Sequence, residues 1–192
     1  MIARRALALL PLAAPAAAQG VAFLETGAAV ALLRAGGLNL YIRHAIAERD
    51  GAARHLSAAG EEQAIRLGGA FDALDIPVAE VLAGEAPRTR ATAELAFGPA
   101  RLRLASELTA PERPGQPAPD AGALLRRLGE PVAGGNRVLV GDLLPLGLAL
   151  GRRLAEEALP EGAIALFRPL GARGEPLGVL RAEPLIAAAR LP

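Results

Sequence analysis

The stretch LNLYIRHAIAERD, residues 38–50, decides the predicted fold and the position of its site. Residues 38–42 form a short apolar run, which is typical of a buried strand, and the run ends at Arg43 and His44. Open α/β sheets bind ligands at the carboxyl edge of their strands. A guanidinium there can hold a phosphoryl group with two hydrogen bonds, and a histidine can act as a covalent nucleophile. The stretch therefore predicts an anion site at the end of a central strand.

Predicted strands and helices alternate along the chain around this stretch. Residues 57–74 begin with a serine N-cap and carry one apolar face at helical spacing, whereas VLV marks residues 137–141 as a buried strand. The other predicted helices cover residues 27–35, 88–97, 121–128 and 145–159; the other strands cover residues 80–83, 101–108 (a strand or its extended lead-in), 163–167 and 177–180, with a turn at residues 171–174; loops cover residues 45–54 and 110–119. This order predicts a three-layer α/β domain with a mostly parallel central sheet and helices on both faces.

The composition limits the classes of function. A chain of 192 residues suits one ordinary domain. A net charge of +1 gives no case for nucleic-acid binding. The sequence contains no cysteine, which excludes disulfides, thiolate catalysis and cysteine-ligated metals.

The first 18 residues have the pattern of an export signal. Arg4 and Arg5 form a positive region, residues 6–12 are apolar, and three alanines at residues 16–18 suit a cleavage site before Gln19. The apolar part is far shorter than the ~20 residues of a membrane span, so no stable membrane insertion is expected. We predict a signal peptide over residues 1–18, a domain over residues 19–192, and a periplasmic or secreted location; an uncleaved N-terminal helix is the alternative.

Four segments in order carry a resemblance to a known family. They are the strand that ends at Arg43 and His44, HLSAAGEEQAIRLGGAFDALDIP at residues 55–77, VLAGEAPRTRATAELAFG at residues 81–98, and NRVLVGD at residues 136–142. This pattern resembles the histidine phosphatase superfamily, with its phosphoglycerate-mutase-like fold, over nearly all of the chain after residue 18. FRPLG at residues 167–171 is similar to exported bacterial members. The resemblance implies phosphate hydrolysis or transfer through a phosphohistidine, no metal or organic cofactor, and a phosphorylated small molecule or protein as partner.

The resemblance also implies roles for individual residues. His44 matches the nucleophile that becomes phosphorylated, Arg43 the first phosphate-binding arginine and Arg88 the second. Asp50 falls where many members have a polar residue on the phosphate side. Fixed cations suit these positions, because negative charge spreads over the phosphoryl oxygens in the transition state. We interpret His55 as an ordinary loop histidine.

The sequence departs from the family pattern at Asp142, where the family places a second histidine that donates to the phosphoryl oxygens. A carboxylate in place of that donor repels the phosphoryl oxygens instead of attracting them. Two unit charges about 4 Å apart interact by roughly 4 kcal/mol at an effective dielectric of ~20, and a barrier raised by this energy slows the reaction by about three decades. Alternatively, Asp142 carries a proton and acts as the general acid. Glu107 and Glu112 are the other candidates for the general acid, and the sequence does not distinguish between them. Gly84 and Glu85 replace the hydroxyl residue and proline usual before the second arginine, and Glu85 adds a negative charge near the pocket.

Two classes of function follow from these matches and departures. The first is an exported phosphohydrolase that acts on phosphate monoesters or phosphoprotein through a phosphohistidine on His44. The second is a catalytically impaired pseudophosphatase, which binds a phosphorylated or anionic ligand without turnover and is favoured by Asp142 and Glu85. The short connection at residues 110–119 leaves little room for a large cap, so we expect a small or open pocket. The oligomeric state is left open.

Overall fold

The computed structural model describes residues 22–49, 54–113 and 115–189, and the predicted signal peptide and Asp50 lie outside these ranges. In chain order the elements are α1 (Thr26–Ala35), β1 (Asn39–Arg43), α2 (Ala58–Ala73), β2 (Val78–Ala83), α3 (Pro87–Phe97), β3 (Leu102–Leu104), α4 (Ala121–Gly129), β4 (Asn136–Gly141), α5 (Leu143–Ala149), β5 (Ile164–Pro169), β6 (Gly174–Leu180) and α6 (Ala182–Ala188). Short 3₁₀ turns cover Pro99–Arg101, Ser106–Leu108 and Glu156–Ala158.

The six strands form a single sheet in the order β3-β2-β4-β1-β5-β6. The first four strands in this order pair in parallel, and β5 pairs antiparallel with both of its neighbours. The prediction of a mostly parallel sheet is therefore confirmed.

Helices cover both faces of the sheet, because successive side chains of a strand point to opposite faces. On β1, Leu40 and Ile42 pack in one core with α1, α2, α3 and α6. Tyr41, between them, packs in a second core with α4 and α5. This arrangement confirms the three-layer α/β architecture.

The register of β1 and β4 brings the ends of two strands to one point. Arg43 lies opposite Gly141 in the parallel ladder, and the His44 N–H donates to the Gly141 carbonyl oxygen at 3.1 Å. Residues 44 and 142 therefore lie side by side at the carboxyl edge. β2 pairs with β4 on its other side, and the chain that leaves β2 enters α3, whose second residue is Arg88.

The predicted helix over residues 145–159 is wrong beyond Ala149. α5 ends at Ala149, and the chain turns at Gly151, which adopts a positive φ of 63°. The Arg152 N–H donates to the Gly147 carbonyl oxygen at 2.9 Å, which closes the turn. The apolar spacing of the sequence continues through this turn because leucines beyond it also pack against the core.

Other element bounds differ from the predictions in smaller ways. The predicted strand over residues 101–108 divides into β3 and the 3₁₀ turn Ser106–Leu108, and β6 begins at Gly174, three residues before the predicted start. α6 was not predicted. Among the described residues no helix combines the length and the apolar character needed to cross a membrane.

Candidate active site

Four of the predicted site residues meet at the carboxyl edge of the sheet, and all four are buried. Arg43 is the last residue of β1, His44 follows it, Asp142 follows β4, and Arg88 lies in the first turn of α3. The segments that contain these four residues lie at or after the ends of β1, β2 and β4, which are neighbouring parallel strands of the sheet.

His44 is 1% exposed, and the two nitrogens of its ring have different surroundings. Nδ1 lies 2.8 Å from the Ala45 carbonyl oxygen, which can only accept, so Nδ1 carries the proton and Nε2 presents its lone pair. Nε2 lies 3.6 Å from Oδ1 of Asp142. Burial lowers the pKa of His44 to about 4, because the contributions of Ala45 and Asp142, which favour the charged ring, are smaller and Arg88 and Arg43 oppose it. At neutral pH the ring is therefore uncharged.

Arg88 is bound by two carboxylates. Its Nε donates to Oδ1 of Asp142 at 2.7 Å, and its Nη1 donates to Oε1 of Glu112 at 2.9 Å. The second oxygen of Asp142, Oδ2, accepts from the Ala110 N–H at 2.9 Å. Burial disfavours the charge of Arg88, but the bonds to Asp142 and Glu112 outweigh it and raise the pKa of Arg88. Because both oxygens of Asp142 accept from N–H donors, this arrangement suits the ionised carboxylate.

Arg43 has more distant carboxylate neighbours. Its Nη1 donates to the Leu159 carbonyl oxygen at 3.0 Å, and its Nη2 lies 3.7 Å from Oε1 of Glu156 and 3.9 Å from Oε1 of Glu161. Buried Nε of Arg43 has no hydrogen-bond partner among the described residues. Buried donors are normally satisfied, so Arg43 retains capacity to bind an anion.

These side chains surround an open cavity of about 350 Å³, which we call the strand-end pocket. Its lining residues are Arg43, His44, Arg54, Arg88, Ala110, Pro111, Glu112, Asp142, Leu143, Leu144 and Glu156. Three arginines and three carboxylates thus line it, and Glu161 lies beside it, with Oε1 4.0 Å from Nδ1 of His44. Within the described ranges no group of three or more histidine, aspartate or glutamate side chains is arranged to hold a metal.

The backbone of Asp142 is held in place by Tyr41, which is fully buried. The Tyr41 hydroxyl donates to the Asp142 carbonyl oxygen at 2.6 Å. Gly141 makes this contact sterically possible, because a Cβ there would lie 2.2 Å from the hydroxyl oxygen. Burial raises the pKa of Tyr41 well above its ordinary value, and the nearby Asp142 adds to the effect, so the hydroxyl keeps its proton and remains a donor.

Thr92 of α3 connects the two arginine-bearing segments. Its hydroxyl accepts from the Ala45 N–H at 3.0 Å and donates to the Arg88 carbonyl oxygen at 2.7 Å. The backbone beside His44 and the first turn of α3 are therefore fixed relative to each other.

The structure does not bring every predicted residue to the pocket. Glu107 binds Arg127, with Oε1 3.1 Å from Nη2, and it does not line the strand-end pocket, whereas Glu112 does. Glu85 lines a neighbouring cavity of about 330 Å³ instead, so the charge predicted for it is not on the pocket wall. His55 is also absent from the lining.

Sequence reasoning missed three charged residues at the pocket: Arg54, Glu156 and Glu161. Arg54 belongs to a polar loop whose sequence has no periodic pattern that would identify one position as functional. Glu156 lies inside the segment predicted as a continuous helix and Glu161 follows it, so nothing indicated that the chain turns back toward Arg43. Acidic residues are not expected at a phosphate site, and these two lie far from Arg43 in the sequence, so the sequence did not indicate that they approach it.

Comparison with known proteins relates this architecture to solved structures. No model of a known protein family matches the sequence, and no curated protein matches it by sequence. The protein histidine phosphatase SixA, solved with tungstate, superposes with a TM-score of 0.58 at 16% identity over 77% of this chain and 99% of that chain. A mutant phosphoserine phosphatase from Entamoeba histolytica, solved with phosphoserine, gives a TM-score of 0.54 at 10% identity over 74% of this chain and 95% of that chain.

A third similar structure is assigned as an alpha-ribazole-5′-P phosphatase from Escherichia coli. Its TM-score is 0.56 at 17% identity, over 76% of this chain and 98% of that chain. Identities this low carry information about the fold alone. Together with the sheet order and the layers described above, they show that the chain has the phosphoglycerate-mutase-like fold found in histidine phosphatases.

Proposed function

We propose that the protein is a phosphohydrolase that acts on phosphate monoesters or phosphoproteins through a phosphohistidine on His44. One observation carries the proposal: a neutral imidazole presents the lone pair of Nε2 at a cavity whose walls include two buried arginines, Arg43 and Arg88. That combination is what nucleophilic phosphoryl transfer requires.

The proposed reaction has two steps. Nε2 of His44 attacks phosphorus and the bond from phosphorus to the ester oxygen breaks, while the two arginines stabilise the charge on the phosphoryl oxygens. The departing oxygen takes a proton, and protonated Glu112, which lines the pocket, is the candidate donor. Water, which returns a proton to Glu112, then cleaves the phosphorus–nitrogen bond, and this step releases inorganic phosphate and restores the neutral ring.

The nucleophile can be tested by trapping phosphate on the protein during turnover of p-nitrophenyl phosphate. Acid-labile phosphate should appear on the unmodified protein and on the His55→Ala variant, and it should be absent from His44→Ala. Since His44 and His55 are the two histidines of the chain, this pair of variants is a matched control. Trapped phosphate that persists without His44 would contradict the proposal.

Asp142 favours a second candidate function, binding of an anionic ligand without turnover. Its carboxylate holds Arg88 at 2.7 Å and lies 3.6 Å from the nucleophilic nitrogen, so it competes with a phosphoryl group for the same cation. Repulsion between two charges about 4 Å apart is roughly 4 kcal/mol at an effective dielectric of ~20. That energy is sufficient to suppress turnover by about three decades.

Two substitutions at Asp142 separate the candidates. Asp142→Asn removes the charge and keeps an acceptor for Ala110, while Asp142→His supplies a donor. If the carboxylate impedes phosphoryl transfer, both variants should bind vanadate more tightly and Asp142→His should raise kcat/KM by up to roughly three decades. If Asp142 donates the proton to the leaving group, both should lower kcat with little change in vanadate affinity. Unchanged activity and affinity would exclude Asp142 from the reaction.

We also propose that the protein works in the periplasm or outside the cell. The support is the pattern of residues 1–18, with paired arginines, an apolar stretch and alanines before Gln19. Its substrates would then be phosphorylated small molecules or proteins of that compartment.

A further inference from the structure

A second cavity opens next to the strand-end pocket, and its walls are dominated by aliphatic side chains. It encloses about 680 Å³, and we call it the leucine groove. Its lining residues are Leu143, Leu144, Gly147, Leu148, Gly151, Arg152, Arg153 and Leu154. The groove follows α5 and the turn after it, the segment whose early helix end brings Gly151 to Leu154 back alongside the helix.

The groove and the strand-end pocket share a wall. Leu143 and Leu144 line both cavities, so the leucine groove adjoins the strand-end pocket at these two residues. Leu144 and Leu148 are four residues apart and therefore lie on the same side of α5. They are 49% and 42% exposed, which leaves two large aliphatic side chains in water beside a polar site.

We propose that the phosphate monoester accepted by the strand-end pocket carries an aliphatic chain, which lies in the leucine groove. The inference rests on the proposed function and specifies its substrate class. The phosphate enters the polar pocket, and the surface that adjoins it along α5 offers aliphatic contacts to the group on the ester oxygen.

The charges of the pocket support the same conclusion. Arg88 is already bound to Asp142 and Glu112, and Arg43 has Glu156 and Glu161 nearby, so these carboxylates compete with the phosphate for the two cations. Binding energy from a non-reacting part of the substrate offsets such competition and can be used at the reacting centre. Burial of methylene groups supplies it, at about two- to fourfold in affinity for each methylene that is removed from water.

The test compares monomeric ethyl, butyl, hexyl and octyl phosphate by release of inorganic phosphate. We expect kcat/KM to rise with chain length by at least about tenfold from ethyl to octyl. Leu148→Gln, in the groove and outside the pocket lining, should reduce the octyl-to-ethyl ratio by about three- to fivefold. Leu170→Gln is the matched control, because Leu170 is a leucine of similar exposure, 54%, outside the groove, and its ratio should equal that of the unmodified protein.

The outcomes distinguish this inference from the proposed function. Equal turnover of ethyl and octyl phosphate would overturn the groove assignment and leave the phosphohydrolase proposal standing. If no ester is turned over, calorimetry with ethylphosphonate and octylphosphonate decides: tighter octyl binding that Leu148→Gln weakens supports the assignment, and equal affinities overturn it. Tighter, Leu148-dependent binding of a leucine-containing phosphopeptide than of octyl phosphate would also overturn it, in favour of a peptide in the groove.

Discussion

At the scale of single residues, the site places a neutral imidazole ring beside a network of charged side chains. His44 is buried as the neutral ring, whereas Asp142 accepts from N–H donors of Arg88 and Ala110. The ring would gain from the carboxylate only by becoming charged, and burial opposes that. The neutral ring and the carboxylate therefore lie 3.6 Å apart, and the lone pair of Nε2 remains available.

The pKa of His44 gives a prediction for pH dependence. It is lowered from its ordinary 6.5 to about 4, so the unfolded chain binds more protons between these two values. Stability should therefore fall by roughly 1–3 kcal/mol as the pH drops from above 6.5 to about 4, in addition to any effect of other groups. Activity, if it depends on the neutral ring, should not show an acid limb near 6.5.

NMR of histidine-labelled protein checks this prediction. In the His55→Ala variant the single remaining histidine signal belongs to His44, and it should titrate near pH 4. A midpoint at or above 6.5 would show that the ring is not desolvated as described.

At the scale of elements, α2 and α3 determine where Arg88 lies, and they pack closely because of a glycine. A Cβ on Gly68 of α2 would lie 2.0 Å from the Ala96 carbonyl oxygen of α3. Phe71 of α2 and Phe97 of α3 meet edge to face with ring centroids 5.3 Å apart. The position of α3 against the sheet therefore depends on the small size of residue 68.

Two adjacent glycines of α2 provide a matched pair of substitutions. Gly68→Ala should destabilise the protein by about 1–3 kcal/mol, because the backbone of α3 has to move. Gly69→Ala should stabilise it by up to about 1 kcal/mol, since nothing lies within 4 Å of the added Cβ and alanine favours the helix. Urea denaturation measures both, and equal effects would contradict the close helix contact.

At the scale of the whole molecule, residues 22–24 attach to the edge of the sheet. The Val179 N–H donates to the Ala22 carbonyl oxygen at 3.0 Å, and the Leu24 N–H donates to the Val179 carbonyl oxygen at 2.8 Å. The Arg181 guanidinium lies 4.1 Å from the centre of the Phe23 ring. The chain is therefore attached to the outer edge of β6 from residue 22 onward.

We expect the exported protein to begin at or near Gln19. Mass spectrometry of protein recovered from the periplasm or the medium measures this end directly. Loss of Arg4 and Arg5 with residues 1–18 changes the net charge from +1 to −1. An intact chain from Met1 confined to the cytoplasm would contradict export.

The fold and part of the site were predictable because local sequence patterns indicate the strands and helices that form them. The strand before Arg43, the N-cap at Ser57 and the VLV strand before Asp142 each have a periodicity or a cap that neighbouring residues suffice to reveal. Parallel strands end at one edge, so residues that follow them could be expected to meet. The structure brings those residues together, and their catalytic roles stay predictions.

The rest was not predictable because it depends on tertiary contacts. The helix over residues 145–159 was wrong because apolar spacing does not distinguish a helix from a helix followed by a packed turn. The same error concealed Glu156 and Glu161, which reach Arg43 only because the chain reverses. The choice between Glu107 and Glu112 depended on Arg127, which binds the former and lies far from both in sequence.

The excess of carboxylates around the strand-end pocket has a consequence for kinetics. With Glu161 included, four carboxylates stand against three arginines, so the immediate surroundings of the pocket carry a net negative charge that repels a dianion at short range. Dissolved salt screens that repulsion over about 10 Å at 0.1 M ionic strength. The association rate constant of an oxyanion such as tungstate, followed by stopped flow, should therefore increase as salt is added, opposite to the decrease expected for an anion that is electrostatically steered into an open basic cleft.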